Sequence, residues 1–347
     1  MNPLDPPRLF GDSPGRAVFK SCPGDFQVEE ILGFEPSGEG EHCFLWVEKT
    51  GRNTNDVAGH FADQLGIRKR LISHCGLKDK EAVTRQWFSL HLPGQESPPA
   101  DLLEAEGLRV LKVSRNLRKL RRGSHDGNRF TIRLRDCECS RPEVERRWER
   151  MIAEGLPNYF GPQRFGRGGN NVRQGRELLN GQIEVRDRLI RGLLLSAVRS
   201  FLFNLVVGTR VQGGTFATPL EGEVFGFPGN RSLVLPHNLH GNEVARVASG
   251  ALELTAPLWG EGELQSVSEV RQLEQEIVAQ EADLALGLER LGLRQERRVI
   301  RLTPQEATLT WENEAELCLR FDLPKGTYAT TVLRELIDFN ASGFDPT

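Results

Sequence analysis

The chain has 347 residues, with 45 lysines and arginines against 48 aspartates and glutamates, which gives a formal net charge of −3. This length predicts one large domain or, more in keeping with common domain sizes, two, and it can bury a core without disulfides or a structural metal. The first residues lack a basic segment followed by an apolar one, and the most apolar stretch, residues 192–207, is interrupted by Arg199 and Asn204. We therefore expect neither a secretory signal nor a membrane span.

Six cysteines are scattered along the chain. Cys137 and Cys139 have the spacing of half a zinc site, but such a site needs about four ligands and no second pair lies at ligand spacing. We therefore expect no metal, and we expect reduced cysteines in a cytoplasmic protein.

Hydrophobic periodicity predicts a mixed order of strands and helices. A strand at 42–47 precedes a helix that starts at Asn53 or Thr54 and ends at Gly66, and further strands are expected at 86–92, 108–113 and 128–135. A helix should run from Ser140 to Gly155, followed by a Gly- and Asn-rich loop at 156–171 and a long helix at 187–211. A further helix should open at Ser266-x-x-Glu269 and run to about 291, before strands at 299–302, 309–311 and 316–323 and a last helix at 328–339.

If the late strands complete the early sheet, the helix-rich middle is an inserted domain. The sequence thus predicts an α+β fold in which a mixed, mainly antiparallel sheet domain, residues 1–153 and 303–347, is interrupted by a helix-rich α+β domain at 154–302.

The predicted strand at 128–135 has one apolar and one basic face. Phe130, Ile132 and Leu134 share one side, and Arg129, Thr131, Arg133 and Arg135 share the other. A basic face of this kind can meet phosphates, although an antiparallel sheet with one wet side has the same pattern.

The basic residues are unevenly distributed along the chain. Residues 109–136 hold ten basic residues against two acids, residues 161–191 hold seven arginines against three acids, and residues 261–289 hold eight acids against Arg271 alone. This distribution can hold a polyanion on one face and repel it elsewhere, while a solvated charged surface is the plainer alternative.

The run most indicative of chemistry is HCGLKDKEAVTRQWF at 74–88, where Asp79 lies between two lysines just before a strand. A carboxylate beside ammonium groups stays ionised even when partly desolvated, which suits a nucleophile or a base. A surface turn has the same local pattern. Two further runs are LPNYFGPQRFG at 156–166, whose rings and arginine can stack on an unpaired base, and LPKGTYATTVLRE at 323–335, a strand-to-helix corner.

Together these runs resemble the TruD family of tRNA pseudouridine synthases. The matching segments are KSCPGDFQVEE at 20–30, GLKDKEAVTRQ at 76–86, NRF at 128–130, NYFGPQRFG at 158–166 and LPKGTYAT at 323–330, in the family's order. The resemblance covers residues 20–340 and implies a pseudouridine synthase catalytic domain with an inserted TRUD domain, arranged as a V around a basic cleft.

By resemblance, Asp79 is the catalytic aspartate, which attacks the nucleotide at C1′ or C6 or promotes a glycal route, without metal or organic cofactor. Lys20 is expected to form the ion pair with Asp79 in preference to Lys78 or Lys80. Phe26, Asn128 and Tyr328 match positions that line the substrate pocket, where relatives often have Phe in place of Tyr328.

Further contacts are expected around this pocket. Phe130, Gln86 and Arg164 are expected to bind substrate as well, although ordinary core packing is the alternative for Phe130 because aromatic residues dominate protein cores. Arg129, Arg133 and Arg135 are expected to contact phosphates, and Arg164 to lie with Arg167 and Arg173 on the hinge side.

The resemblance implies a cytoplasmic enzyme that acts as a monomer on uridine 13 in the D arm of tRNA, with no membrane and no obligatory protein partner. An RNA-binding module without chemistry is the main alternative, since the charge pattern alone would suffice for it. A methyltransferase would need a glycine fingerprint between a strand and a helix, which does not occur. A serine hydrolase would need G-x-S-x-G at a strand-to-helix turn, and the one match, GDSPG at 11–15, lies outside the segments that carry the resemblance.

Overall fold

The computed structural model describes residues 2–230, 232–238 and 241–341. The strands that flank the middle of the chain are β1 Gly15–Phe19, β2 Phe26–Ile31, β3 His42–Lys49, β4 Ile72–His74, β5 Val83–His91, β6 Leu108–Asn116 and β7 Gly127–Cys139, and later β14 Gln305–Trp311, β15 Leu317–Pro324 and β16 Asp338–Ala341. The helices among them are α1 Thr54–Leu65, α2 Ala100–Leu103, α3 Arg141–Glu154 and α10 Ala329–Leu336.

The middle of the chain holds the remaining elements. Its helices are α4 Pro162–Phe165, α5 Asn170–Leu179, α6 Arg188–Gln212, α7 Glu243–Ala248, α8 Ser268–Ala279 and α9 Ala282–Arg290. Its strands are β8 Leu156–Pro157, β9 Phe225–Gly226, β10 Leu233–Val234, β11 Glu253–Leu258, β12 Glu296–Val299 and β13 Arg301–Leu302.

Among the described residues, ten strands form the largest sheet, whose main path runs β14-β15-β7-β2-β5-β3-β6. Most neighbours are antiparallel, while β2 with β5 and β1 with β16 are parallel. The mixed, mainly antiparallel α+β character predicted from the sequence is confirmed. The late strand β15 pairs with the early strand β7 along its whole length, from Leu317 opposite Leu134 to Pro324 opposite Gly127.

The chain leaves and re-enters this sheet region at one place. Strand β8, just after α3, pairs with β13, just before β14, through Leu156 opposite Leu302 and Pro157 opposite Arg301. Two adjacent crossings are what an insertion requires, and this pairing supports the proposed boundaries near 153 and 303.

Each part has its own core. Val28, Ile132, Leu319 and neighbouring apolar residues of the sheet pack under α3 and α10, whereas Phe203 and other residues of α6 centre the core of the middle region. The N-terminal residues Leu4 and Leu9 pack against this second core, although they precede the sheet in sequence.

Helix α6 is long and apolar enough to cross a bilayer by length and composition, with 67% of its most apolar window buried inside the protein. Asp187 caps its first turn by accepting hydrogen bonds from the N–H groups of Leu189 and Ile190 at 2.7 and 3.1 Å. The burial identifies α6 as the core helix of the middle region.

Four predicted elements differ from those observed, one of them the strand expected at 299–302, which is divided between the last residue of β12 and β13. The expected loop at 156–171 contains β8, α4 and the start of α5. The helix expected from 266 to 291 is two helices, because the chain breaks at Gln280 and Glu281, and the Ser266 hydroxyl bonds the Glu274 carboxylate at 2.6 Å instead of capping the helix. The last helix ends at Leu336, and the residues after it form β16 beside β1.

Candidate active site

The Asp79 carboxylate lies in the loop between β4 and β5. Its Oδ2 is 2.5 Å from Nζ of Lys20, and its Oδ1 accepts a hydrogen bond from the backbone N–H of Glu81 at 2.9 Å. The side chain of Lys20 is 7% exposed and that of Asp79 28%, so one edge of the carboxylate remains open to a ligand. Opposite charges at this distance offset the cost of removing each from water.

Lys20 reaches Asp79 from the end of β1 with an unusual backbone. Its φ is 58°, in the left-handed region that costs a residue with a side chain roughly 1–2 kcal/mol. Such backbone strain persists where surrounding contacts hold it, often at functional sites. The ammonium also lies 4.6 Å from the centre of the Phe26 ring, within the range of a cation–π contact.

A second lysine, Lys49 at the end of β3, lies beneath the Asp79 loop. It is fully buried, and its Nζ donates to the backbone carbonyls of Asp79 at 2.7 Å, Arg52 at 2.8 Å and Lys78 at 3.3 Å. Burial lowers the pKa of Lys49 to about 8, and the Asp79 carboxylate acts in the opposite direction. The three carbonyls fix the backbone on which the Asp79 side chain stands.

The other end of this loop is held by Gln86 and Thr54. Gln86 Nε2 donates to the carbonyl of Gly76 at 3.2 Å, and its Oε1 accepts from the Thr54 hydroxyl at 2.9 Å. The same hydroxyl accepts from the backbone N–H of Lys78 at 3.0 Å. The nitrogen and the oxygen of the buried Gln86 amide are therefore both used in hydrogen bonds that hold this loop.

The Lys78 side chain is turned away from Asp79 and towards Asn128. Its Nζ donates to Asn128 Oδ1 at 2.7 Å and lies 3.1 Å from Oε2 of Glu30, which is opposite Asn128 in the β2–β7 register. An ammonium group can only donate, so this contact assigns the oxygen of the Asn128 amide. The Nδ2 group is then the end of the amide that can donate to a ligand.

The aromatic residues of β2 and β7 form a stack behind the ion pair. The rings of Phe26 and Phe130 are nearly parallel, with centroids 6.1 Å apart, and Phe130 also packs on Phe321 at 5.6 Å. Phe26 is 9% exposed and Phe130 7%. Phe130 is thus the inner ring of the stack, between Phe26 and the core.

Tyr328 stands just before α10 and joins this region to the middle part of the chain. Its ring is half-buried and lies 6.1 Å from the Phe160 ring, edge to face. Residue Leu323 of β15, a few positions earlier, pairs with Asn128. The corner that carries Tyr328 is therefore attached to the strand that carries Asn128.

A possible metal-binding group lies below Lys78. Glu30, Cys75 and His125 each offer one ligand atom, all within 4.8 Å of one another. However, the Lys78 ammonium already pairs with Glu30, and burial together with the Glu30 charge raises the pKa of the Cys75 thiol to about 11. A thiol binds metal as the thiolate, so a protonated Cys75 beside a Glu30 that pairs with lysine disfavours a metal ion at this place.

Comparison with known proteins gives the family. The family model for tRNA pseudouridine synthase D (TruD) matches residues 10–186 and 183–336. The tRNA pseudouridine synthase D of Aeromonas hydrophila is 42% identical over 330 residues, covering 95% of this chain and 93% of the relative. That of Pseudomonas entomophila is 42% identical over 337 residues, covering 97% and 96%.

The chain belongs to the TruD family. A crystal structure of a protein assigned as tRNA pseudouridine synthase D from Methanosarcina mazei shares its fold, with a TM-score of 0.69 at 20% identity and coverage of 97% of this chain and 95% of the other. The resemblance drawn from the five sequence segments is confirmed at the level of the family.

In this TruD-family chain the predicted ion pair between Lys20 and Asp79 is present. Phe26 lies beside it, and Asn128 is joined to the same loop through Lys78. Phe130 lies one ring deeper, in the packing position that was the alternative for it. Arg164 lies over the Phe160 ring, which the Tyr328 ring also contacts.

Two expectations stay predictions, although the structure shows other partners for the side chains concerned. Gln86 was expected to bind substrate, but it is fully buried and both ends of its amide hold the Asp79 loop. The basic face of β7 was expected to meet phosphates, but each of its arginines has a carboxylate partner at 2.7–2.8 Å: Arg129 with Asp322, Arg133 with Glu312, and Arg135 with Asp25 and Glu316.

Sequence reasoning missed Lys49, Glu30 and the role of Lys78 as a bridge to Asn128. Glu30 is the last residue of the first matching segment. In β2 every second residue from Phe26 onward faces inward, and Glu30 is one of them. This alternation is a signal from which a buried carboxylate could have been predicted. Lys49 carried no such signal, because a lysine at the end of a strand is ordinarily solvated.

Proposed function

We propose that this chain isomerises uridine to pseudouridine in tRNA, at position 13 in the D arm. The observation that supports this most is the partly exposed Asp79 carboxylate, held by Lys20 beside the Phe26 ring and backed by a rigid loop. The product has the same atoms and oxidation state as the substrate, so the net reaction consumes no second reactant.

In the proposed reaction the target uridine is extruded from its stack and held against the Phe26 ring, at a cost of a few kcal/mol that binding must offset. The Asp79 carboxylate acts on the nucleotide, and the N1–C1′ bond breaks with its electron pair going to uracil. Asn128 Nδ2 donates a hydrogen bond to a uracil carbonyl, where negative charge develops. After the ring rotates, C5 bonds to C1′, C5 loses its proton and N1 gains one.

The substrate is bound by basic residues in the cleft between the two parts of the V-shaped molecule. Four exposed cations, Arg118, Lys119, Arg121 and Arg122, precede Gly123, whose N–H donates to the carbonyl of Cys75 at 2.8 Å, near the start of the Asp79 loop. None of the four has a carboxylate within 4.0 Å among the described residues, so their charge is available for phosphates. The protein acts in the cytoplasm as a monomer.

The test is pseudouridine formation on unmodified tRNA, mapped by carbodiimide treatment and primer extension. Asp79→Asn should retain tRNA binding and lose roughly 10⁴-fold or more in rate, as enzymes do when an essential nucleophile is removed. Asp63→Asn, an exposed position on α1, is the matched control and should keep full activity. Product formed by Asp79→Asn at the normal rate would reject the role of Asp79.

A protein that bound tRNA tightly but formed no pseudouridine in its unsubstituted form would instead be the RNA-binding module considered above.

A further inference from the structure

Arg298, in β12, has no acidic partner among the described residues, whereas several other buried arginines of the middle region have one. Around it, Arg297 pairs with Glu274 at 2.5 Å and Arg301 with Glu253 at 2.7 Å. Elsewhere in the middle region, Arg210 pairs with Glu223 at 2.9 Å. Within the described part of the chain, no carboxylate lies within 4.0 Å of Arg298.

Arg298 is nevertheless held firmly in one place. Its guanidinium lies 4.4 Å from the centre of the Phe160 ring and 5.7 Å from that of Phe203, and Nη2 donates to Asn158 Oδ1 at 2.6 Å. Burial lowers the pKa of Arg298 to about 10, so it still carries its charge at neutral pH. Its Nε is buried and has no hydrogen-bond partner among the described groups.

A second arginine without an acidic partner shares the same ring. The Arg164 guanidinium lies 5.5 Å from the centre of Phe160, and its charge is close enough to Arg298 to lower the pKa of that group further. Its Nε is also buried without a partner among the residues described. Two like charges on one aromatic ring repel one another, and an anion bound between them would relieve this repulsion.

The position of this arginine pair limits what the anion can be. Both guanidinium groups lie over the Phe160 ring, and the Tyr328 ring meets that ring edge to face at 6.1 Å. A side chain added at Gly326 would come within 3.8 Å of Arg298 Nη1, so the glycine leaves that nitrogen approachable from the Tyr328 corner. An anion here would lie next to a nucleotide bound against Tyr328.

We propose that Arg298 and Arg164 together bind one backbone phosphate of the substrate RNA, close to the target uridine. The proposal rests on the proposed function, since it takes the RNA substrate as its ligand. Arginine suits this role because its planar group offers several donors to phosphate oxygens. The phosphate would fix the position of the strand relative to Tyr328, on the side of the pocket that faces the middle region.

The test is a binding cycle between protein and RNA. An RNA hairpin that carries the target uridine is prepared with one backbone phosphate at a time replaced by an uncharged methylphosphonate. Affinity is measured by fluorescence anisotropy on proteins that also carry Asp79→Asn, which prevents turnover. Arg298→Gln, which can still donate to Asn158, and Arg164→Gln are compared with Arg16→Gln, which removes an exposed cation that already pairs with Glu138.

We expect one phosphate near the target uridine whose neutralisation weakens binding about tenfold, the size of one charge-assisted contact. When that phosphate is already neutral, Arg298→Gln and Arg164→Gln should cause no further loss of affinity. The effect of Arg16→Gln on affinity should add to the effect of neutralisation at every phosphate. Additive losses for Arg298→Gln and Arg164→Gln at every phosphate would overturn the proposal. A purely structural role for Arg298 would lower the melting temperature without this position-specific result.

The proposed function is tested by a separate measurement. Pseudouridine formation by the unsubstituted protein is measured on the same hairpin. If pseudouridine forms but the effects of the arginine and phosphate changes on affinity are additive, the phosphate site alone is overturned. If no pseudouridine forms, the proposed function is overturned. In that case the binding cycle still decides whether the two arginines share a phosphate.

Discussion

At the scale of single residues, Lys49 is the unexpected feature of the site. A fully buried ammonium that donates to three backbone carbonyls, with Asp79 as its nearest negative charge, is costly to desolvate. The charged groups around it are Asp79, Lys78 and Asp56. Because the pKa of Lys49 is lowered to about 8 from 10.5, its proton is lost within an accessible range of pH.

We predict opposite effects of this titration on stability and on activity. Between about pH 8 and 10.5 the unfolded chain binds the proton that the folded chain has released, so this group makes the free energy of unfolding rise with pH, by on the order of 1–3 kcal/mol. Over the same rise the Asp79 loop loses a cation and one donated hydrogen bond, so the single-turnover rate should fall with an apparent pKa near 8.

Lys49→Arg, which stays charged, is the control for this prediction. Urea unfolding and single-turnover rates are measured from pH 7 to 10 for both proteins, and the difference between them isolates residue 49. An alkaline fall in rate that is the same in Lys49→Arg would show that another group titrates.

At the scale of elements, the β4–β5 loop is fixed from both ends before any substrate binds. Lys49 holds its later residues and Gln86 its earlier ones. Preorganisation of this kind places a reacting group within a fraction of an ångström, and small displacements from mutations nearby can slow a reaction by up to about 100-fold.

We therefore predict that Gln86→Leu lowers the single-turnover rate by roughly 10- to 100-fold while leaving the dissociation constant for tRNA unchanged. Thr54→Val should have a similar effect, and the double variant should lose little more than either single one, because both side chains serve one hydrogen-bonded chain. The measurement is single-turnover kinetics together with equilibrium binding.

Gln95→Leu, on an exposed turn, is the matched control for Gln86→Leu. An increase in the dissociation constant with an unchanged single-turnover rate would return Gln86 to the substrate-binding role first expected from the sequence.

At the scale of the whole molecule, the charges that can meet a polyanion are not those with the strongest sequence pattern. The arginines of β7 alternate regularly, but carboxylates of β15, of the turn between β14 and β15, and of the segment before β2 neutralise them. Exposed cations without acidic partners in the described structure include those of the irregular segment 117–124, which lies beside the Asp79 loop.

We predict that tRNA affinity falls steeply with salt and that this segment supplies much of the slope. Replacing Arg118, Lys119, Arg121 and Arg122 by Gln should reduce the slope of log affinity against log salt by about 3, at roughly 0.7–0.9 for each phosphate that the protein no longer neutralises. Arg133→Gln should leave the slope unchanged because its partner is Glu312. Affinity that stays flat between low and moderate salt would contradict the basic cleft.

The elements with clear periodicity were predicted well. Helix α1 ends at Gly66 in the left-handed conformation, α3 runs from after Ser140 to before Gly155, and β7 has the expected apolar face. The errors came where tertiary contacts override local pattern: Ser266 bonds a carboxylate across α8, and the residues after Leu336 find β1 as a partner strand.

By itself, the sequence determined the family, the candidate aspartate and its lysine, because these depend on residue identities at short spacings. Only the tertiary structure decided which charges are neutralised and which are left for a ligand. Lys78 faces Glu30, Arg133 faces Glu312, and Arg298 faces two rings and no acid among the described residues. The physical reason is that the effect of a charge depends on neighbours within a few ångströms, and most of those neighbours are more than a hundred residues away or on another strand.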